Sequence, residues 1–274
     1  MKNNFKIEPK FSKSSREIWD SHFEKLTADT PENKVIRVGF QRYRLYYAAA
    51  VLILLMMTPL LYTRRVSAPA GEHLDWTLPD RSKLTLNAQS KVTYKPIMWK
   101  ISRAVSMEGE VFFEVVKGSG FSVKSDNGSV KVLGTSFNVY SRENGFSVSC
   151  LSGKVAVKSE LSNDDNQVKT ILEKGEGIVF RKESAPAVIA EEVVVTSASW
   201  REKEFYFTHS PLAEVLKEVS RQYGVDIEYN KESDLYYTGN FSMKGSPEEV
   251  ITIITLPFSL GYEKTENGYK ILKR

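Results

Sequence analysis

Glu108, Glu110 and Glu114 are the first residues of the 274-residue sequence whose types and spacing could do chemistry. Alternate residues of a strand share a face, so these carboxylates could form an acid–base pair. The same spacing also describes the solvated edge of a sheet. Nucleophilic chemistry finds less support. No serine lies in a G-x-S-x-G elbow, and no histidine accompanies a plausible serine or cysteine. His22, His73 and His209 are scattered and neither HExxH nor CxxC occurs, so no metal or other cofactor is expected. Asp164-Asp165 reads as a polar turn. Cys150 is the one cysteine, which excludes an intramolecular disulfide. It ends the alternating run Phe146, Val148, Cys150, and reads as a buried small hydrophobe, with a reactive thiol as the alternative.

With no catalytic set assembled, the elements carry the argument. The chain is 41% hydrophobic and 26% charged, an ordinary globular composition, and its length suggests about two domains. The net charge of +4 is unevenly placed. Residues 1–44 hold ten Lys/Arg against six Asp/Glu, whereas 45–274 hold 28 of each. The large C-terminal part therefore has no phosphate-tracking excess, and nucleic acid is not an expected partner. Between these parts lies 45–62, LYYAAAVLILLMMTPLLY, an uncharged run of 18 residues. It reads as a single transmembrane helix with Tyr46, Tyr47 and Tyr62 at its ends. The leader before it is too long for a signal peptide. Basic residues upstream outnumber Arg64 and Arg65 downstream, which places the N-terminus in the cytoplasm.

In the cytoplasmic segment, 1–44, the pattern Ser14-x-x-Glu17 opens a helix over about 15–27. Ile18, Trp19, Phe23 and Leu26 form one stripe on it. A segment this short cannot build its own core, so the stripe suggests docking in a partner groove; the alternative is a helix resting on the membrane surface.

After a linker at 63–73, residues 74–182 alternate apolar and polar positions over 83–94, 103–116, 121–125, 129–140, 145–158 and 170–182, with turn residues between. This predicts a mainly β domain, whether sandwich, roll or β-solenoid. Its motifs are specific: Leu78-Pro79-Asp80-Arg81-Ser82 with Leu84-Thr85-Leu86-Asn87-Ala88, Met107-Glu108-Gly109-Glu110-Val111-Phe112-Phe113-Glu114-Val115, Val132-Leu133-Gly134-Thr135-Ser136-Phe137-Asn138-Val139, and the closing Leu151-Ser152-Gly153-Lys154-Val155-Ala156-Val157 and Leu172-Glu173-Lys174-Gly175-Glu176. In this order they resemble the FecR domain. Arg81 stands where that family usually has glycine, a change expected to alter the turn.

A second linker at 183–200 leads to a small α+β domain at 201–274. Ser210-Pro211 starts one helix, ended by Gly224; Ser246-Pro247-Glu248-Glu249 starts another as a capping box. The two starts lie 36 residues apart, so a βαβ-type unit is used twice. This part is similar to the short N-terminal domain of secretins and TonB-dependent transducers.

The resemblance implies a FecR-type anti-sigma factor: a single-pass bacterial inner-membrane protein with periplasmic C-terminal domains, not an enzyme. Ile18, Trp19, Phe23 and Leu26 would hold an extracytoplasmic-function sigma factor. Leu212, Val215, Tyr223, Tyr237 and Phe241 would dock the periplasmic signalling domain of a TonB-dependent outer-membrane transducer. A membrane protease is a further implied partner, and Pro59 and Arg64-Arg65 mark where release could begin. Gly134–Thr135 is the implied bond for self-cleavage, by attack of the Thr135 hydroxyl on the Gly134 carbonyl. Two other readings stay open. An envelope binding module for glycan or protein would show Trp76 and Trp99 as an exposed platform. An envelope hydrolase would show a pocket with converging carboxylates.

Overall fold

A computed structural model describes residues 13–28, 40–143, 145–161, 169–182, 185–230 and 234–273. The chain divides into two units, Met1–Leu54 and Leu55–Arg274. The first begins with helix α1, Ser15–Ala28. The capping box is present: the Ser14 N–H donates to Glu17 Oε2 at 3.0 Å and the Glu17 N–H donates to Ser14 Oγ at 3.3 Å. Helix α2, Phe40–Leu61, starts five residues before the apolar run. Its 22 residues reach about 33 Å at ~1.5 Å per residue. Leu45 to Tyr47 and Val51 to Met57 are exposed on it. The side chains at 41–42 and 59–60 lie outside the described residues, and among the described residues no helix is long and apolar enough to cross a membrane.

The second unit starts its β-structure earlier than the sequence implies. Residues 63–73 are not all linker: β1, Arg64–Ala68, pairs antiparallel with β4, Ser90–Tyr94. Val66 and Ala68 alternate into the core, which anchors the strand. Between them run β2, Leu74–Thr77, and β3, Lys83–Leu86. Arg81, in the turn joining these two, adopts φ +70, so the turn keeps a left-handed residue although the side chain is not glycine.

Strand β5, Arg103–Glu114, organises the domain. Its first half pairs with β4 and, in parallel, with β6, Phe121–Ser125; its second half pairs with β3 and with β8, Ser136–Arg142. The change of partner falls at Gly109, φ +100, where an added Cβ would lie 2.7 Å from the Ser90 Cβ. Only glycine fits both the conformation and the close approach. Two sheets therefore share β5. One continues β6–β7–β10–β11 through Gly128–Val132, Lys154–Ser159 and Lys169–Glu173; the other continues β8–β9–β12–β13 through Gly145–Ser152, Gly177–Arg181 and Ala187–Ile189. The sequence left sandwich, roll and β-solenoid open; over the described residues the structure has one 13-stranded sheet that turns at β5 into a half-barrel.

Inward residues of both layers form one core. Phe113 stacks on Phe137 at 5.0 Å between centroids and meets Phe121 edge-on at 6.2 Å. Cys150 belongs to this core, fully buried, and burial pushes its thiol up to about 11, which keeps it an inert hydrophobe.

Within the expected linker 183–200, residues 187–200 are packed. They supply β13, helix α3, Glu191–Thr196, and the start of a 3-10 turn, Ser199–Glu202. Val194, Ala198 and Trp200 are buried. The module beyond has β14, Glu204–Pro211; α4, Leu212–Tyr223; β15, Asp226–Tyr229; β16, Tyr236–Ser242; α5, Pro247–Thr255; β17, Leu260–Lys264; and β18, Gly268–Lys273. The strand–helix–strand order does occur twice, but each unit is split between sheets. The leading strands β14 and β16 pair with each other, while β15 and β17 flank β18. The Ser246 capping box is as expected and Gly224 ends α4 at φ +66. Ser210 is not the cap of α4. It remains on β14, donating to the Thr208 carbonyl, and Pro211 takes the cap position without a side-chain bond.

Candidate functional site

The outer face of β5 is covered by the C-terminal module, with Phe112 joining that module's apolar cluster and a polar network around Glu110 beside it. Glu110 is buried with each oxygen taken: Asn138 Nδ2 donates to Oε1 and Asn87 Nδ2 donates to Oε2, both at 2.8 Å. Asn87 holds the corner between β3 and β4, and its Oδ1 accepts from Gln222 Nε2 at 2.5 Å and from the Ala88 N–H at 2.7 Å. Gln222 also donates to Glu218 Oε1 at 2.7 Å, and Glu218 Oε2 accepts from Arg221 Nη2 at 2.6 Å. With its amide nitrogen so engaged, Gln222 presents Oε1 as an acceptor to His73 Nε2 at 2.9 Å, which puts the ring proton on Nε2. Trp200 Nε1 closes the network on Asn138 Oδ1 at 3.4 Å, and Arg201 lies 3.7 Å over the Phe112 ring. Glu218, Arg221 and Gln222 reach this face because α4 buries Leu212, Val215, Leu216 and Val219 inside its own module and turns an adjoining polar face to the β-domain.

The electrostatics are uneven. Burial, then the Glu218 charge, push the Glu110 carboxyl up to about 7, against the two Asn donors and Arg142. Glu218, equally buried, is held below its ordinary range by Arg221 and Arg142, which outweigh the desolvation. Arg142 anchors the corner from the other side, donating to the Ala88 carbonyl at 2.7 Å and the Gln89 carbonyl at 3.0 Å. Beside Glu110 opens a cleft of about 220 Å³ between Tyr140, Ser147 and Ser149 of the sheet, α3, and Phe205 to Phe207 of β14. Two carboxylates do converge at its wall. All four oxygens already have donors, so they are bound as structure and not presented to a substrate.

The other sequence candidates fall as follows. Glu108 and Glu114 do not join Glu110: the bend at Gly109 places Glu108 on the other sheet, where it pairs with Lys91, and Glu114 is exposed at the far end of β5. Ile18, Trp19 and Phe23 lie exposed on α1, with the two aromatic rings 5.3 Å apart. The Leu26 side chain lies outside the described residues. Leu212, Val215, Tyr237 and Phe241 are not a docking surface. They are the buried core of their own module, and Tyr223 is half-buried with its hydroxyl donating to the Gly245 carbonyl. An amphipathic stripe on a module that packs its own sheet is consumed by that packing. Gly134 and Thr135 form the turn between β7 and β8. The Thr135 hydroxyl donates to the Lys154 carbonyl at 3.1 Å and is buried. Trp99 is buried and Trp76 is half-buried under Arg64, its Nε1 donating to the Tyr94 hydroxyl, so they make no exposed aromatic platform. Among the described residues no group of acidic, His and Cys side chains is placed to hold a metal ion.

Of the junction, the sequence singled out only Glu110, and for another reason. Asn87 and Asn138 lay within recognised motifs, but nothing local separates Glu218 or Gln222 from surface polar residues.

Residues 64–156 match the family model described as FecR protein, and residues 204–272 the one described as FecR, C-terminal. Together they take in more than half of the chain, and the first begins at β1, in agreement with the early start of the β-domain. Two crystal structures of a candidate anti-sigma factor from Parabacteroides distasonis are similar. One has a TM-score of 0.70 at 28% identity, covering 78% of this chain and 100% of that one. The other has 0.69 at 28%, covering 77% and 99%. No curated protein matches the sequence. With both family modules in order on one structure, the chain belongs to the FecR family of anti-sigma factors.

Proposed function

We propose that the chain is a transmembrane relay: α1 holds an extracytoplasmic-function sigma factor in the cytoplasm, α2 crosses the bacterial inner membrane, and the periplasmic unit reads a TonB-dependent outer-membrane transducer. The observation that carries this reading is the stripe on α1. Ile18, Trp19 and Phe23 are 42%, 64% and 53% exposed on a helix of 14 residues. Such a helix buries apolar surface only against a partner. The uncharged run 45–62 and the exposed apolar side chains of α2 support the crossing. Inhibition by binding requires no catalytic residue, consistent with a regulatory family.

In this reading the transducer meets exposed surface of the C-terminal module, because the residues first expected to dock it are core. A change there reaches the β-domain through the Gln222–Asn87–Glu110 network. A membrane protease acting near Pro59 and Arg64-Arg65 would complete release.

The test is co-expression of the full chain with an extracytoplasmic-function sigma factor and measurement of sigma-dependent transcription. The double change Trp19→Ala, Phe23→Ala is expected to release the sigma factor. A chain that represses equally well with both rings removed would defeat the reading.

A further inference from the structure

We propose that the end of the β-domain where the chain enters it from α2 rests on an anionic phospholipid surface, so that the domain is held to the membrane by a second contact. This rests on the reading of α2 as a membrane span. Connectivity comes first. Helix α2 ends at Leu61 and β1 begins at Arg64, so only Tyr62 and Thr63 separate apolar helix from sheet. Arg64 pairs with Tyr94, the last residue of β4, which makes the loop 95–102 the immediate neighbour of the entry point.

The register brings further loops to that end. Arg103 pairs with Phe121 and Phe121 with Val132, so β5 and β6 start, and β7 stops, at the entry end. The Gly118 N–H donates to the Leu133 carbonyl at 2.9 Å. The Arg103 guanidinium bonds the Val116 carbonyl at 2.9 Å and the Ser119 carbonyl at 2.6 Å, tying the 115–120 loop to the foot of the 95–102 loop. Trp99 packs edge-on against Tyr94 and Phe121 and pins the latter loop in place.

What these loops expose is aliphatic. Ile97, Ile101, Val116 and Leu133 are 52%, 80%, 46% and 66% exposed. Scattered single exposures are normal, but these four crowd one end. At the opposite end, the corner 87–89 and the hairpins 125–128 and 142–145 carry no large exposed apolar side chain among the described residues.

The charge at the entry end points to the same partner. Lys95, Lys100 and Lys117 alternate with the aliphatic tips and are exposed, as are Arg64 and Arg65. Of the carboxylates at this end, Asp80 is engaged by Arg103, Glu114 stands opposite Lys83 and Glu173 pairs with Lys154, with Glu176 exposed beside it. Aliphatic tips between lysines suit the interface of an acidic bilayer, where chains enter the acyl boundary and ammonium groups meet phosphates.

The full chain, reconstituted in vesicles of phosphatidylglycerol and phosphatidylcholine, tests this with an environment-sensitive fluorophore on Ile101→Cys or Leu133→Cys. Asp126→Cys at the opposite end and Ile53→Cys in α2 serve as references, and buried Cys150 in unlabelled-site protein gives the blank. The expected result is blue-shifted emission, quenched by lipid-borne nitroxide, at 101, 133 and 53 but not at 126. Each of Lys95→Ser and Lys100→Ser should shift the equilibrium toward water roughly fivefold, the equivalent of ~1 kcal/mol per basic residue at an acidic surface. Lipid contact at 53 with water at 101 and 133 overturns the second contact and leaves the span standing. Water at 53 with lipid at 101 overturns the span and supports the surface contact, while water at every position overturns both. Equal lipid contact at 101 in pure phosphatidylcholine overturns the anionic preference.

Discussion

The two faces of the second half of β5 are buried almost equally, by opposite means. Val111 and Phe113 point into the apolar core, with Phe113 stacked on Phe137 and meeting Phe121 edge-on. Glu110 and Phe112 point outward. The β-domain's own Asn87 and Asn138 amides hold Glu110. The C-terminal module covers the face with the Gln222 amide, the Glu218 carboxylate, the Arg201 guanidinium and apolar residues around Trp200. The inner face gains from non-directional area burial, so its strength sums over many contacts. The outer face holds only while every partner is present, because a buried polar group left alone loses its full solvation. One face is therefore built to persist and the other to be a place where the molecule can come apart.

The largest effect expected from this contrast is on the inner face. Phe113→Ala should destabilise the whole β-domain by ~3–5 kcal/mol, seen as a lower denaturation midpoint of a single transition. A loss confined to the module would break the comparison. Glu110→Ala should remove ~1–3 kcal/mol by orphaning the Asn87 and Asn138 amides. Hydrogen exchange should report that loss over Ser199–Glu202 and Leu212–Tyr223 and leave the amides around Phe137 protected. Uniform deprotection would mean that the junction is not separable.

The pH response sharpens the same point. The docked Glu110 carboxyl holds its proton up to about 7, against 4.5 ordinarily. The docked state therefore binds more protons than an open one between these values, and docking should weaken as pH rises through that window. Glu218 acts oppositely: lowered by Arg221 and Arg142, it contributes stability that is lost only as pH falls below the ordinary carboxylate range. Protection of α4 should thus fall from mildly acidic to neutral pH, and Glu110→Gln should flatten that slope. The smallest effect is at the rim, where Lys217 pairs with Glu143 at 2.9 Å, both more than half exposed. Lys217→Ala should change stability by less than ~0.5 kcal/mol, within solvent screening.

Much of this molecule was legible before its structure. Alternation located the strand runs from β3 to β12 and missed β1, β2 and β13, because where one face of a strand packs on the core polarity follows the pleat. The capping residues of α1 and α5 and the stop at Gly224 are local chemistry and read as such. The errors share one cause. Residues 63–73 and 183–200 read as linkers because neither shows a sustained helix or strand period, yet 64–68 and 187–200 are structured by what they pair with. Leu212, Val215, Tyr237 and Phe241 looked like a docking stripe because a sequence does not show which partner an apolar face will take.

Sequence by itself determined the family and most elements of the two modules with their order, since these depend on periodicity and on residues close along the chain. Tertiary structure alone decided that β5 folds over Gly109 into two sheets, that Glu110 is buried under a helix more than a hundred residues away, and that four aliphatic tips gather at the end where the chain enters. Each of these depends on contacts between distant segments, where the free energy of burial is set by the neighbour and not by the residue.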